Sequence, residues 1–442
     1  MRFASSRLRL ALPVCLTLSI FAFGSEAQFV GHWEGTMVRE GVPLQVSFDF
    51  TNAGAQPRGT VTSLSQKAME FPLDAVTMNG GSLHFVLGGS IVFDGKLSAD
   101  VIAGTFTDDG TKGNFTLHRA IPKPFPYEAI DVSFHNGAVT LAGTLCVPRK
   151  PGRHAAIVLL QGSGSETRWG TNRFIADRFA QSGIAALVYD KRGSGASTGD
   201  WKASSYDDLA NDAIAGIDLL ASRSDIDATR IGLHGHSEGG IIAAIAAAHA
   251  PPKVAFVVAE DTVAGLVRDQ DFYRVSHQIT QAGFSNAEIG EALNLYKLML
   301  DVACGAKPYH DLATASQAVR GKSWYEWLAI PSEDSYLWSW YPKIGNLDTL
   351  VFWKEVRAPV LLVYGESDQL VPVDESIARI EAALDTANTS YTAVIVPNAQ
   401  HNLTIQPDPN GPFFWWKAAP GIVDLAVAWV QQRTGPPPQP TK

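Results

Sequence analysis

The sequence predicts an α/β protein in which a doubly wound, mostly parallel sheet carries a helical insert and is preceded by a small all-β domain. Continuously apolar strands such as 155–160 alternate with amphipathic helices in the second part of the chain, which is typical of a parallel sheet covered on both faces. Residues 44–50 instead alternate apolar and polar side chains, which indicates strands with one buried face. Three prolines within residues 121–126 separate the two patterns.

The composition allows a sizeable core and excludes one class of partner. With 442 residues, of which 46% are hydrophobic, the chain is long enough for one large domain or two of ordinary size. Its formal net charge of −9 argues against nucleic acid as a partner. No C-x-x-C motif or Cys/His cluster suggests a metal site, and we expect neither a metal nor a cofactor. Whether Cys146 and Cys304 pair is left open.

The first residues resemble a secretory signal peptide. Three arginines among residues 1–9 precede an apolar stretch at 10–23, and Ser25 and Ala27 are small residues at the two positions that a signal peptidase reads. An uncleaved membrane anchor is the alternative, but the apolar stretch is shorter than the roughly 18 to 20 residues that span a bilayer. We therefore predict cleavage after Ala27, no membrane anchor afterwards, and export to the periplasm or the medium of a bacterium.

The segment 28–120, called the β-module here, is predicted to be a small antiparallel barrel or sandwich. Its alternating strands are separated by tight turns such as Asp109-Gly110. It contains no visible catalytic constellation, so we interpret it as a structural module that contributes little to turnover. Binding of a polymer or a partner through Trp33 or His84 is the alternative.

Residues 121–127 are predicted to be a linker, and residues 128–434 to form the α/β domain. Its alternation of strands and helices is interrupted at 262–356 by a mostly helical, tryptophan-rich insert. In a doubly wound domain, such an insert would form a lid over the crevice at the carboxyl ends of the strands, and most of its aromatic rings would form its own core. The proline-rich residues 435–442 are predicted to be a disordered tail.

A serine between two glycines follows a predicted strand and precedes a helix of small residues. This serine is Ser237, in the motif Gly-His-Ser-Glu-Gly at 235–239. A nucleophile elbow needs that order of strand, tight turn and helix, with glycines where strand and helix approach closely. Ser197 also fits the G-x-S-x-G pattern, but no apolar helix follows it. The context therefore favours Ser237.

Serine is a weak nucleophile and needs a base and an acid, which two later loops supply. Asp368 lies in the loop directly after a predicted strand, and His401 follows the last strand. The chain order Ser237, Asp368, His401 is the order expected for a Ser-His-Asp triad on a sheet of this type. We predict that His401 is the general base and that Asp368 orients it.

Other residues compete for these two roles. Glu366 lies in the same loop as Asp368 and could be the acid. His234 and His236 flank the elbow, but their proximity in sequence to Ser237 rarely lets a ring accept the serine proton. We interpret these two histidines as packing or tautomer-fixing groups.

Several motifs together make the chain similar to the α/β-hydrolase superfamily, in its bacterial serine esterase branch of dienelactone-hydrolase-like and prolyl-peptidase-like enzymes. The resemblance covers about residues 128–434. The matching segments are the hairpin strand 139–145, the loop 161–164, the loop 189–197, the elbow 235–239, the acid loop 365–372 and the loop around His401. It implies the α/β-hydrolase fold and hydrolysis without a metal or cofactor.

The tetrahedral oxyanion of such an enzyme needs two N–H donors. One donor is expected to be the backbone N–H of Glu238, the residue after the nucleophile. The other is expected in the loop 161–164, from Ser163 or, as the alternative, from Gly162.

These observations predict an exported serine hydrolase that cleaves carboxylic esters through an acyl-enzyme, with a small-molecule ester as its substrate. A serine peptidase, an aminopeptidase or a thioesterase with the same triad is the alternative, because fold and triad are shared across many acyl transfers. A binding protein whose β-module docks to a partner is a third hypothesis. The acyl and alcohol groups and the oligomeric state are left open.

Overall fold

The computed structural model describes residues 28–53 and 56–435. The predicted signal peptide at 1–27 and residues 436–442 of the predicted tail lie outside the described residues. Within them, no helix combines the length and the apolar character that crossing a membrane requires. Cys146 and Cys304 are both free thiols.

The β-module forms one antiparallel sheet of nine strands, in the spatial order β4-β3-β2-β1-β9-β8-β7-β6-β5. The predicted alternation is confirmed in β2, where Leu44, Val46, Phe48 and Phe50 are all buried. The rings of Phe48 on β2 and Phe85 on β6 lie 5.3 Å apart although their strands are distant in the sheet, so the sheet is rolled around an aromatic core. The strands are β1 Gly31–Arg39, β2 Val42–Ala53, β3 Gln56–Ser63, β4 Ala68–Pro72, β5 Asp74–Asn79, β6 Ser82–Leu87, β7 Ile91–Ser98, β8 Val101–Asp108 and β9 Thr111–Ala120.

The second sheet has eight strands in the order β10-β11-β13-β12-β14-β15-β16-β17. The pairs β10–β11 and β11–β13 are antiparallel, and the other five pairs, from β13–β12 to β16–β17, are parallel. This confirms the mostly parallel α/β sheet. The strands are β10 Tyr127–Asn136, β11 Val139–Pro148, β12 His154–Leu160, β13 Ala185–Tyr189, β14 Ile226–His236, β15 Val257–Glu260, β16 Val360–Gly365 and β17 Tyr391–Val396.

Helices cover both faces of this sheet. Two of them pack on one face and three on the other, which gives the two halves of the core. The first two are α1 Thr171–Gln181 and α10 Ile422–Thr434, and the other three are α2 Tyr206–Ala221, α3 Glu238–His249 and α9 Val373–Thr386. Two short strands, β18 Thr404–Ile405 and β19 Lys417–Ala418, pair beyond β17.

Two element boundaries differ from the sequence prediction. Strand β10 begins at Tyr127, within the predicted linker. The apolar run 254–258 predicts a strand that begins at Val254, but strand β15 begins at Val257, because Pro251–Lys253 form a 3₁₀ turn first. Prolines favour such a turn, since they fix the backbone and lack an N–H for the sheet.

The segment between β15 and β16 contains five α-helices and two short 3₁₀ helices. Trp324 and Trp353 in this segment are fully buried, as expected of an aromatic core, whereas Trp327 is exposed. The helices are α4 Val267–Gln281, α5 Asn286–Ala303, α6 Tyr309–Val319, α7 Leu337–Trp340 and α8 Leu350–Trp353.

Candidate active site

Ser237 lies on a strained turn between β14 and α3. Its φ of 55° and ψ of −118° are unusual for a residue with a side chain, and such strain is concentrated at functional sites. The glycines explain how the turn fits. A Cβ on Gly235 would lie 2.0 Å from the Gly239 carbonyl oxygen, and one on Gly239 would lie 2.6 Å from the Leu160 carbonyl oxygen. The local sequence therefore folds into the elbow geometry that the motif predicts.

Asp368 and His401 form a hydrogen-bonded pair after the ends of β16 and β17. His401 Nδ1 lies 2.7 Å from Asp368 Oδ2. The backbone N–H groups of Leu370 and Val371 donate to the other carboxylate oxygen, at 2.7 and 3.1 Å, and hold the buried Asp368 in one orientation. Burial disfavours the imidazolium, but the hydrogen bond and charge of Asp368, together with the charge of Asp261, outweigh burial, so the pKa of His401 is raised above its ordinary value.

The ring of His236 connects this pair to the elbow. It lies 4.8 Å from the ring of His401, centroid to centroid, in an edge-to-face contact. Because His236 immediately precedes Ser237, this contact brings the three predicted triad residues to one edge of the sheet. Ser237 Oγ has no hydrogen bond to any residue of the described chain, and catalytic hydrogen bonds often tighten only when substrate is bound.

The loop after β12 lies beside the N-terminus of α3. Lys191 Nζ donates to Glu238 Oε1 at 2.5 Å and to the Gly162 carbonyl oxygen at 2.7 Å, and so joins the loop to the helix. The Gly162 N–H already donates to Glu166 Oε2 at 3.2 Å. Among the described residues, neither the Ser163 N–H nor the N–H of Glu238, the first residue of α3, donates to a backbone acceptor, so both groups are available to an oxyanion.

The residues that compete for these roles have other partners. Ser197 Oγ donates to the Asp190 carbonyl oxygen at 2.6 Å and accepts from the Ala142 N–H, so this buried serine fastens a turn. Glu366 is exposed and accepts from the Asn398 N–H. His234 Nε2 lies 3.2 Å from Glu260 Oε1, within the core. Within the described part of the chain, none of the three side chains has a hydrogen bond or ion pair with Asp368 or His401.

Asp261, a second acid close to His401, was not among the residues predicted from the sequence. Asp261 follows the end of β15, accepts from the Gly365 N–H at 2.8 Å, and has its other oxygen 3.8 Å from His236 Nε2. Burial raises the pKa of Asp261 to about 7, although the charge of His401 opposes the shift, and burial lowers the pKa of His236. The signal was available, because Asp261 follows an apolar strand just as Asp368 does.

One group of side chains in the described residues has the donor set of a metal site. The ligand atoms of His236, Asp261 and His401 lie within 4.8 Å of one another. His401 Nδ1 is already bonded to Asp368, so a metal could take only the nitrogen that a general base needs. The absence of a metal and of a cofactor stays a prediction.

The model of a family described as X-Pro dipeptidyl-peptidase (S15 family) matches residues 127–402. The chain belongs to the S15 family. It is thus a serine hydrolase of the α/β-hydrolase superfamily, as the resemblance predicted. The S15 match begins with β10 and includes Ser237, Asp368 and His401, whereas the β-module lies outside it.

Solved structures of hydrolases are similar to this S15 protein at low identity. Dienelactone hydrolase from Anabaena variabilis is 20% identical, with a TM-score of 0.41 over 70% of this chain and 98% of that one. An esterase from Pyrococcus furiosus is 17% identical, with a TM-score of 0.44 over 71% and 93%. Acetyl xylan esterase 1 from a Thermoanaerobacterium species is 17% identical, with a TM-score of 0.43 over 71% and 86%.

A cavity of about 650 Å³ lies next to the elbow, between the β-module and the domain that matches the S15 family, called the S15 domain here. Its size is that of a pocket for a small molecule. The S15 domain contributes Gly162, Glu166 and His236 to its walls, and the β-module contributes Lys67 and Phe71. No motif or pattern in residues 28–120 indicated that the β-module reaches this edge of the sheet.

Proposed function

We propose that this S15 protein hydrolyses carboxylic esters through an acyl-enzyme, with Ser237 as nucleophile, His401 as general base and Asp368 as the acid that orients it. The observation that carries the proposal is the 2.7 Å pair of Asp368 and His401 beside a strained elbow serine. A hydroxyl becomes a competent nucleophile only when a neutral imidazole can accept its proton, and the carboxylate on Nδ1 keeps Nε2 free for that task.

In the proposed reaction, Ser237 Oγ forms a bond to the ester carbonyl carbon while its proton moves to His401 Nε2. The N–H groups of Ser163 and Glu238 stabilise the carbonyl oxygen as it gains negative charge. The C–O bond to the alcohol then breaks, and the alcohol leaves with the proton from His401. A water molecule, deprotonated by His401, releases the acid and restores Ser237.

Peptide hydrolysis is the second candidate, because the matched family is described as an X-Pro dipeptidyl-peptidase. The triad alone is compatible with either bond and with a thioester, since all three pass through the same tetrahedral intermediate. The leaving group makes the difference. An amine needs protonation before the C–N bond breaks, whereas an alcohol leaves more readily.

The helical segment 262–356 supports the further proposal of a lid over the active site. Gln270 on α4 donates to the Leu370 carbonyl oxygen in the acid loop at 2.8 Å, which fastens the insert next to Asp368. A second cavity, of about 360 Å³, lies between α4 and this loop, with Trp327 in its wall. A lid in this place would restrict the size of the group that reaches Ser237.

Export, the domain limits and a small-molecule ester substrate are part of the same proposal. We propose a cleaved signal peptide at 1–27, the β-module at 28–120 and the catalytic domain at 128–434. Mass spectrometry of the protein secreted by a bacterial host tests the cleavage, for which the expected new N-terminus is Gln28. The oligomeric state stays open.

Labelling with a fluorophosphonate tests the nucleophile. We expect the native chain and Ser197→Ala to be labelled and Ser237→Ala to be unlabelled, because only an activated serine reacts with this probe. Equal labelling of Ser237→Ala and the native chain would show that Ser237 is not the nucleophile.

The rates of hydrolysis of short-chain nitrophenyl esters and of aminoacyl and X-Pro nitroanilides then show whether the enzyme prefers ester or amide bonds. Faster cleavage of the anilides at equal enzyme concentration would reverse the order of the two candidate functions.

A further inference from the structure

One segment of the β-module, residues 64–72, reaches the catalytic domain. Lys67 and Glu70 both have a positive φ, 50° and 53°, which is uncommon for residues with a side chain. Two contacts fasten the segment. Met69 and Gly170 form a β-bridge, and the carboxylate of Glu70 makes a two-pronged ion pair with the buried guanidinium of Arg173. The β-bridge and the paired charges hold this segment in one place and offset its backbone strain.

Lys67 points from this segment toward the catalytic histidine loop, residues 398–404. It is only 3% exposed, and its Nζ donates to the Asn402 carbonyl oxygen at 2.6 Å. Asn402 is the residue directly after His401. Asn402 and Leu403 also have a positive φ, 70° and 52°, so this loop has a strained backbone whose position depends on outside contacts. The lysine supplies such a contact from 335 residues away in the chain.

The charge of Lys67 also has identifiable partners. Burial lowers the pKa of Lys67, and the nearby carboxylates of Glu260 and Asp261 oppose that shift. These acids follow one another at the end of β15, next to His236 and His234.

The charged and titratable groups against His401 come from every element packed around it. They are Asp368 in the acid loop, Asp261 after β15 and His236 at the end of β14. Lys67 is the cation that the β-module adds to this group. Removing a cation from this position would let the neighbouring carboxylates favour the imidazolium of His401.

We propose that Lys67 is a positioning residue of the active site, supplied by the β-module, which holds the histidine loop through Asn402 and balances the carboxylates of Glu260 and Asp261. This rests on the proposed function of His401 as the base. The catalytic site is therefore completed by a domain that lies outside the family match. The same segment forms one wall of the cavity beside Gly162 and His236, so a substrate group bound there contacts both domains.

Four full-length proteins test the proposal: the native chain, Lys67→Met, Lys67→Arg and the control Lys112→Met, which removes an exposed lysine of the same module. Each is measured on one nitrophenyl ester from about pH 5 to pH 9. We expect Lys67→Met to lower kcat about tenfold or more, since small displacements of a catalytic group are costly, with a smaller change in KM.

The pH profile separates positioning from simple structural damage. Without the ammonium, the carboxylates favour the imidazolium, so the pKa of His401 rises and the acidic limb of kcat/KM moves upward by about 0.5 to 1 pH unit. Lys67→Arg keeps the positive charge, so its acidic limb of kcat/KM is expected at the same pH as in the native enzyme. Lys112→Met is expected to match the native enzyme in every respect.

Unchanged kcat and an unchanged acidic limb in Lys67→Met would overturn the proposal. If Lys67→Met loses its fold by circular dichroism, Lys67→Gln replaces it, because an amide can still donate to Asn402. Loss of activity that only follows loss of folded protein in both variants would also overturn it. Absence of fluorophosphonate labelling in the native chain would instead refute the proposed function.

Discussion

Replacing Asp368 by Asn should inactivate the enzyme through the tautomer of His401. In the native site one carboxylate oxygen accepts from the N–H groups of Leu370 and Val371, and the other faces His401 Nδ1. An asparagine must place its only oxygen where the two N–H groups converge, which turns its NH₂ toward Nδ1. The ring must then accept at Nδ1 and carry its proton on Nε2, where it cannot take the proton of Ser237.

The size of the effect follows from the lost orientation and charge. We expect kcat to fall on the order of 10³- to 10⁴-fold, with little change in KM. The acidic limb should also move. Asp368 is the main group that raises the pKa of His401 against the effect of burial, so its neutralisation lowers that pKa. The base is neutral in the active form, and the limb of kcat/KM therefore shifts to lower pH while the plateau falls.

Initial rates on a nitrophenyl ester between about pH 5 and pH 9 measure both quantities. Glu366→Gln is the matched control, because Glu366 is an exposed acid of the same loop. This substitution should leave kcat and the acidic limb of kcat/KM unchanged. If Asp368→Asn kept more than a tenth of the native kcat, or if its limb stayed in place, the orientation argument would be wrong.

Two further substitutions test the packing around the elbow by urea unfolding. Gly235→Ala should cost about 3 kcal/mol or more, because its methyl group would lie 2.0 Å from a backbone oxygen, whereas Gly290→Ala on the open surface of α5 should stabilise by about 0.5 to 1 kcal/mol. Equal effects of the two alanines would contradict the close approach. Lys191→Met should cost about 3 to 5 kcal/mol by leaving the Glu238 carboxylate buried and unpaired, against less than about 1 kcal/mol for Lys253→Met in an exposed pair with Asp218. A similar loss in both would show that burial of the Lys191 pair has no energetic consequence.

Local sequence was sufficient for the elbow and for the two loops that follow it. Ser237, Asp368 and His401 each lie just past the end of a strand, and the carboxyl ends of neighbouring parallel strands meet at one edge of the sheet. The strands themselves are recognisable from their apolar runs, because a strand buried on both faces has few polar positions. The alternation in β2 predicted the all-β module for the corresponding reason.

Asp261 could have been found by the same rule. It directly follows β15, but the sequence placed that strand too early, at 254–258, so the position of Asp261 at the strand end was not recognised. The pair of prolines at 251–252 was the signal for a later start.

The sequence was thus sufficient to predict the fold class and the three candidate triad residues, since each of these residues lies shortly after a strand that its apolar run identifies. The place of Lys67 was decided only by tertiary structure. Its hydrogen bond to Asn402 joins residues 335 positions apart, across two domains. No periodicity or motif in either segment predicts this contact. The contact depends on the ion pair of Glu70 with Arg173 and on the β-bridge of Met69 with Gly170, because these two interactions fix the position of the β-module on the catalytic domain.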